Sequence, residues 1–479
     1  MLITWVIKEV AMNMYYNKLA VPVQRYIRRY ATKHKVGVQM ELELISQFES
    51  NRLKPRKHPG AMKTSTAEVP AVAVKAMQSV MKDKPTKALS TEGAALVRYL
   101  RARLPPLEER EIRVRKKEIQ RQVEKKYGID ASSLSEQEQA ELHLKYKDEV
   151  VKRLQPTLSS WKSIEYDEHR ALQYMVARFA PEFAALRRIF MEMKTRQPDF
   201  KPRTMFDFGS GVGTATWAAR SVWTECMQEH FNVDSSGHMN DLASLLLREG
   251  NEDKEMPIKG VFYRQFLPAS QLLQYDIVVS AYTLLELPSA VSRLETIVNL
   301  WNKTNRYLVL VEHGTNAGFK VTNEARDFIL QLVKEGDAPT AHVLSPCPHD
   351  LPCPRFASDT TPCNFEVPYI PLPFEGTSDM GKERFSYVVL KKGARAADDK
   401  QWPRIVRPPL IRKKHTVCRM CVAGGKLQEI VFTASKHGKF PYRCARSSNW
   451  GDLLPLAISE DKAEDQKKEV EHEDQKNES

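Results

Sequence analysis

A strand that ends in alternating glycines and leads directly into a helix constrains this chain more than any other feature. Phe206, Asp207 and Phe208 run into Gly209, Ser210, Gly211, Val212 and Gly213, and Thr214 opens a helical stretch to Val222. Glycines placed this way let the backbone turn tightly and let a ligand approach where a Cβ would otherwise stand. The surrounding sequence has a matching rhythm. From Arg203 onward, apolar runs of strand length alternate with helical periodicity: Thr204–Phe208, Phe231–Val233, Gly260–Arg264, Tyr275–Ser280 and Tyr307–Val311. Such alternation predicts an α/β fold, a parallel sheet covered by helices on both faces.

The same stretch specifies a ligand class. Asp234 ends the second strand about twenty residues past the glycines, where its carboxylate can accept hydrogen bonds from both ribose hydroxyls. The strand Tyr275–Ser280 ends beside the same crevice. An acid before the first glycine, Asp207, can pair with a ligand ammonium, whereas it would crowd a pyrophosphate. The glycine spacing also departs from the dinucleotide pattern G-x-G-x-x-G. The reading is a class I methyltransferase Rossmann-like domain for S-adenosylmethionine. Its candidate binding residues are Asp207, Gly209, Ser210, Gly211, Gly213, Asp234 and Ser280. After the fourth strand comes Ser280-Ala281-Tyr282-Thr283-Leu284-Leu285-Glu286-Leu287, which supplies no evident base, nucleophile or base-holding aromatic turn. Tyr282 either stacks on a ligand or packs in the core. Cofactor binding is therefore expected without a catalytic residue, and an active RNA methyltransferase is the competing reading.

Seven cysteines in 479 residues are too few and too clustered for a disulfide scaffold, and five lie between Cys347 and Cys421. Cys347, Cys353, Cys363, Cys418 and Cys421 exceed what a four-thiolate site needs, and either zinc or an iron–sulfur cubane is chemically allowed. Their irregular spacing does not match paired C-x-x-C zinc knuckles. Cys226 and Cys444 read as ordinary core thiols.

Charge points to a polyanion. The chain carries a net +13, while Glu460 to Ser479 hold nine acidic and four basic residues, which leaves +18 on the rest. Arg110 to Lys126 hold eight basic and three acidic residues around a thin apolar stripe of Ile112, Ile119 and Val123, a helix suited to an anionic surface. A second helix, Ser135 to Leu154, opens on a Ser-x-x-Gln-like cap. Residues 163–194 form strong helical patterns expected to break at Pro181. No run is long and apolar enough for a membrane span. The acid-poor, amphipathic start suits either a mitochondrial presequence over 1–35 or a basic helix of the mature protein. The expected organisation is this presequence, a helical basic region over 36–162, the Rossmann-like domain over 163–345, a small β-rich cysteine domain over 346–458, and a disordered tail over 459–479.

Three segments carry a resemblance. Tyr166 to Phe179, Asp207 to Ala219 and Cys347 to Pro354 closely resemble the methyltransferase-like assembly factors of the mitochondrial small ribosomal subunit. Trp402 to Ile405, Tyr442 to Arg446 and Trp450 to Asp452 continue the match. The resemblance implies a mitochondrial matrix protein that binds immature small-subunit rRNA and acts as a monomer on the precursor with its ribosomal proteins. It favours the presequence for residues 1–35. It implies bound S-adenosylmethionine with methyl transfer lost, and a 4Fe–4S cluster on Cys347, Cys353, Cys363 and Cys421. Cys421 is preferred to Cys418 because the family's last cysteine precedes a glycine turn, here Ala423-Gly424-Gly425. His313 stands where relatives often have proline, a departure expected at the edge of the cofactor pocket.

Overall fold

The computed structural model describes residues 36–62, 65–127, 135–155, 161–268, 273–358, 361–374 and 380–460. The expected presequence (1–35) and residues 461–479 of the expected tail lie outside them.

The chain begins with β1 (Val36–Gln39) and α1 (Leu42–Glu49), then α2 (Ala71–Met81), α3 (Thr86–Ala102), α4 (Glu109–Tyr127), α5 (Glu136–Leu154) and α6 (Glu168–Arg196). The α/β body follows as β2 (Thr204–Phe208), α7 (Thr214–Val222), β3 (Glu229–Val233), α8 (Gly237–Leu247), β4 (Val261–Arg264), β5 (Tyr275–Ala281), α9 (Ala290–Lys303), β6 (Thr304–His313), α10 (Asn316–Glu335) and β7 (Ala341–Ser345). After it come α11 (Pro354–Ser358), β8 (Phe365–Tyr369) and β9 (Gly381–Lys392). The chain closes with β10 (Arg404–Ile405), β11 (Leu410–Ile411), β12 (Thr416–Cys421), β13 (Leu427–Phe432), α12 (Ala434–His437), α13 (Lys439–Ser447) and β14 (Ala457–Glu460).

The central sheet runs β4-β3-β2-β5-β6-β9-β7, with β8 added on β9. Strands β2 to β6 are mutually parallel, as the alternation predicts, but β9 is antiparallel to both β6 and β7. Successive side chains of a strand face opposite ways. Thus Met205, Ile277, Val279 and Val309 pack under α6, α7 and α8, while Phe206, Val278, Leu308 and Leu310 pack under α9 and α10. Both faces are apolar, which explains the unbroken apolar runs in the sequence.

Several expectations need correction. The Rossmann-like unit does not end at 345, because β9, which read as a piece of the cysteine domain, is a central strand of the sheet. The segment between β7 and β9 is thus an excursion from the sheet. The 36–162 region is not one separate unit either. Strand β1 pairs with β14, and Met40, Leu44 and Phe48 share a core with Ile405, Cys418, Phe432, Cys444 and Leu456. The tail boundary moves accordingly: Ser459 and Glu460 belong to β14, opposite Gly37 and Val36.

Helix α6 runs unbroken through Pro181. Proline removes one donor and crowds the preceding turn, yet Phe179, Phe183, Ile189 and Phe190 are fully buried around it and hold the helix in place. Ser135 does cap α5 in a reciprocal capping box, with Glu138 rather than a glutamine as its partner.

Helix α6 is so enclosed that its charges find partners inside the protein. Glu192 accepts from Ser345 Oγ (2.6 Å) and Tyr387 OH (2.9 Å) and pairs with Arg404, all of them buried. Burial alone would raise its pKa, but Arg404 and Arg196 pull it down to about 2. Glu192→Ala would strand the Arg404 guanidinium, and denaturant unfolding should register a loss of about 3–5 kcal/mol. A loss within experimental error of zero would contradict this account of the packing.

Candidate nucleoside cleft and thiol cavity

The glycine turn is pinned to the neighbouring strand. Gly209 N and Ser210 N both donate to Val233 O, at 2.7 and 3.0 Å. Gly209 has φ +71°, and a Cβ there would lie 2.1 Å from Thr283 Oγ1, so the position is closed to any side chain. At Gly211, with φ +49°, the nearest atom is Tyr174 Cε1 at 4.0 Å, and the space a Cβ would occupy opens into the cleft. Asp234 fastens the turn from beyond β3. Its Oδ2 accepts from Gly211 N (2.9 Å) and its Oδ1 from Ser236 N (2.9 Å).

These residues border a cleft of about 250 Å³ at the carboxyl ends of the parallel strands. Gly209, Gly211 and Asp234 line it directly. The other expected residues stand behind that lining. Asp207 is buried within β2, Gly213 caps α7, and the hydroxyls of Ser210 and Ser280 are buried without a hydrogen-bond partner. Sequence reasoning did not single out Tyr166, Tyr174, Met239, Gln265, Thr283 or Glu286, which also line the cleft. Gln265 could have been found, since it directly follows β4 and parallel strands present their carboxyl ends to the ligand crevice. Tyr282 packs in the core and also borders the cleft: its ring packs against His313 (centroids 4.9 Å apart) with Arg178 4.8 Å away. His313 stands behind that ring, a second layer away from the cleft.

Burial dominates the electrostatics. It pushes the Asp207 carboxyl up to about 8, with Asp234 and Glu182 adding to the rise, and pushes Glu312 up to about 8 although Leu284 N and Leu285 N donate to it. A carboxyl whose pKa rises on folding stabilises the fold below its ordinary value and loses that contribution as pH climbs through the raised one. For Asp207 the window lies between 3.8 and about 8. Thermal unfolding of the ligand-free chain should show stability falling across that window, and less steeply in Asp207→Asn. Identical slopes in the two proteins would contradict the burial argument.

The second site lies where the excursion between β7 and β9 meets the C-terminal strands. Cys347, Cys353, Cys363 and Cys421 all line one small cavity, together with Arg355 and Arg404. Cys418, three residues before Cys421, faces the other side of β12 and is buried among Met420, Ile430, Phe432 and Cys444. Cys226 packs against the main core and Cys444 lies in α13, both away from the cavity. Burial raises all four cavity thiols, and the charges of Arg326, Arg355 and Arg404 oppose that rise. Arg326 also donates to the carbonyls of His349 (3.1 Å) and Leu351 (2.8 Å), and His349 Nε2 lies 3.2 Å from Cys421 Sγ. Spacing alone gave no sign of these arginines. Among the described residues no three His, Cys, Asp or Glu side chains are gathered as a single metal ion would require. The four thiols line one cavity.

A mixed sheet with its antiparallel strand second from the edge, a glycine turn after the first central strand, and an acid ending the next define a class I methyltransferase-type Rossmann fold. The family described as mitochondrial small ribosomal subunit Rsm22 matches residues 168–455, and the chain belongs to it; it is a mitochondrial protein. The human ribosome assembly protein METTL17, mitochondrial, is 40% identical over 84% of this chain and 86% of its own length. The Schizosaccharomyces pombe Rsm22-cox11 tandem protein 2, mitochondrial, is 27% identical over 71% of this chain, which spans 49% of that protein. Solved structures with some likeness include magnesium protoporphyrin IX methyltransferase from Synechocystis PCC 6803 with bound SAM (11% identity, 49% of this chain, 87% of that one, TM-score 0.27). Another is the N-methyltransferase NodS from Bradyrhizobium japonicum (11%, 44%, 88%, TM-score 0.27). At these scores the likeness adds nothing to the strand order.

Proposed function

We propose that this chain is an assembly factor of the mitochondrial small ribosomal subunit, working in the matrix as a monomer on precursor particles. In this reading it binds immature rRNA, holds S-adenosylmethionine without transferring its methyl group, and carries a 4Fe–4S cluster. The assembly role is supported by the human relative, described as a ribosome assembly protein, which aligns with most of this chain.

The non-catalytic reading rests on one observation: the turn after β5, where an acceptor would meet the cofactor, is engaged by the chain's own residues. Trp161 Nε1 donates to Leu285 O (3.0 Å), Glu286 pairs with Arg103, and Glu312 holds Leu284 N (2.7 Å). Among the described residues the carboxylates lining the cleft are engaged: Glu286 is paired, and Asp234 is held by two backbone amides.

The cleft suits a nucleoside because its floor is bare backbone at Gly211 and its rim carries Asp234 for the ribose. Asp207 behind the turn would be ionised by a ligand ammonium, and the buried hydroxyls of Ser210 and Ser280 leave polar capacity at the site. When bound, S-adenosylmethionine would supply an electrophilic methyl sulfonium, but here it serves to order the turn. Incubation with labelled cofactor and either naked rRNA or assembly intermediates should transfer no methyl group. Transfer to a defined nucleotide would establish the active-methyltransferase reading instead.

The thiol cavity suits a cluster for two reasons. Four thiolates are the usual ligand set, and the buried guanidinium groups of Arg326, Arg355 and Arg404 offset its negative charge. Protein purified without oxygen should be brown with about four iron atoms per chain. Cys353→Ser should lose iron and fold stability together, since ligand binding at such a site is folding energy. A colourless protein with one zinc per chain would replace the cluster with a zinc scaffold.

For RNA, helix α4 presents Arg113, Arg115, Lys116, Lys117, Arg121, Lys125 and Lys126 on exposed positions. Between Arg404 and Arg446 the C-terminal module has eleven basic residues and one acid, Glu429. Affinity for small-subunit rRNA should fall steeply with salt, and charge reversal along α4 should flatten the slope. Binding that ignores salt would remove the electrostatic reading.

A further inference from the structure

The basic helix α4 packs on α5, which holds five acidic and four basic residues: Tyr146 OH donates to Gln120 O (3.0 Å) and Glu124 Oε1 (2.8 Å), and Val123 and Val150 are buried. The chain enters this pair from Arg103 to Glu108 and resumes, past it, at Trp161 to Tyr166. Both stretches are fastened to the rim of the nucleoside cleft. On the way in, Arg103 is buried (7% exposed), its guanidinium lies 5.2 Å from the Trp161 ring centroid, and its Nη2 donates to Lys162 O at 2.5 Å. The same guanidinium forms an ion pair with Glu286, which lines the cleft. Glu108 Oε1 accepts from Ala290 N (2.8 Å) at the start of α9. On the way out, Trp161 Nε1 bonds Leu285 O, and Ser163, Ile164 and Tyr166 form one wall of the cleft.

We propose that Arg103, Trp161 and Glu286 form a clasp that gates the cleft. A nucleoside exchanges when the clasp opens, and the same opening releases the roots of the helical pair that carries the basic α4. The gating half of this proposal rests on the nucleoside reading given above. Geometry makes the two events one: Ile164 and Tyr166 cannot leave the cleft wall while Lys162 O and Trp161 are held by Arg103 and Leu285. A ligand that favours the closed arrangement must, by linkage, stabilise the roots, and whatever pulls the roots away must weaken the ligand. An RNA grasped by α4 and α5 would thereby report on nucleoside occupancy, and the reverse.

The test uses the full chain. Amide hydrogen exchange is followed at Trp161 to Tyr166 and at Leu284 to Glu286, and the dissociation rate of S-adenosylmethionine is followed by stopped flow, in wild type and Arg103→Ala. The expected result is slow exchange at both stretches in wild type, slower still with ligand, and fast exchange in the variant. Ligand dissociation should rise about tenfold, as for loss of a partly buried ion pair. Should Arg103→Ala fail to fold, Trp161→Phe removes the indole donor while keeping an aromatic ring and should raise both rates in the same direction. Unchanged root exchange and an unchanged dissociation rate in a folded variant would overturn the clasp. If wild type binds no S-adenosylmethionine, the nucleoside reading fails and the gate with it. Root exchange in Arg103→Ala would then decide whether the clasp holds the helical pair.

Discussion

Helix α6 carries Arg178, Glu182 and Glu192 through the protein interior, and the arrangement of everything around it follows from neutralising those charges. Ionised groups removed from water must be paired and hydrogen-bonded or they destabilise the fold by several kcal/mol. Arg178 bonds Glu182 (3.1 Å) on the same helix and Glu383 (3.1 and 3.2 Å) on β9, and Tyr174 OH bonds Glu182 at 2.5 Å. Nearly three turns beyond Glu182, Glu192 takes Arg404 from the C-terminal module. Tyr174 lines the nucleoside cleft and Arg404 lines the thiol cavity. One buried helix thus reaches both sites, and β9 braces it between them through Glu383 and Tyr387.

That bracing explains why the sheet accepts β9 beside β6. An antiparallel strand there brings Glu383 level with Val367 of β8 and Tyr387 level with Val311 of β6, and delivers both polar side chains to the same helix. The excursion between β7 and β9 is then free to carry Cys347, Cys353 and Cys363. The fourth thiol, Cys421, comes from a strand whose own core is shared with residues at the start of the described chain. The thiol cavity is therefore where the sheet, the C-terminal strands and, through them, β1 and α1 are joined. A centre bound there would tie all three together.

The parts of this design that were legible in the sequence are those governed by local rules. Glycine spacing, strand-length apolar runs and the position of Asp234 pointed to the cleft that Gly209, Gly211 and Asp234 line, because a tight turn and a buried parallel sheet each impose a short-range pattern. Cys347, Cys353, Cys363 and Cys421 line one cavity, and the choice of Cys421 over Cys418, which came from family resemblance, agrees with the alternation of faces along β12. What was missed depends on distant pairing. The place of β9 in the sheet, the pairing of β1 with β14, and the arginines around the thiols involve partners up to four hundred residues apart. No periodicity encodes such contacts. Pro181 misled for a related reason: its local cost is real, but burial on every side outweighs it.

The turn after β5 is held by the same kind of distant pairing. A methyltransferase fold needs its post-β5 turn open to an acceptor, and here Arg103, Trp161 and Glu108 occupy it from within the chain. What remains is a scaffold with a basic outer surface and two internal sites whose filling would stiffen it. The most direct measurement is a structure of the full chain on a small-subunit precursor, prepared without oxygen. The account predicts nucleoside density in the cleft, polynuclear density joining Cys347, Cys353, Cys363 and Cys421, and α4 and α5 laid against rRNA. A particle with the thiol cavity empty or holding one ion, and with the basic helices turned away from RNA, would contradict it.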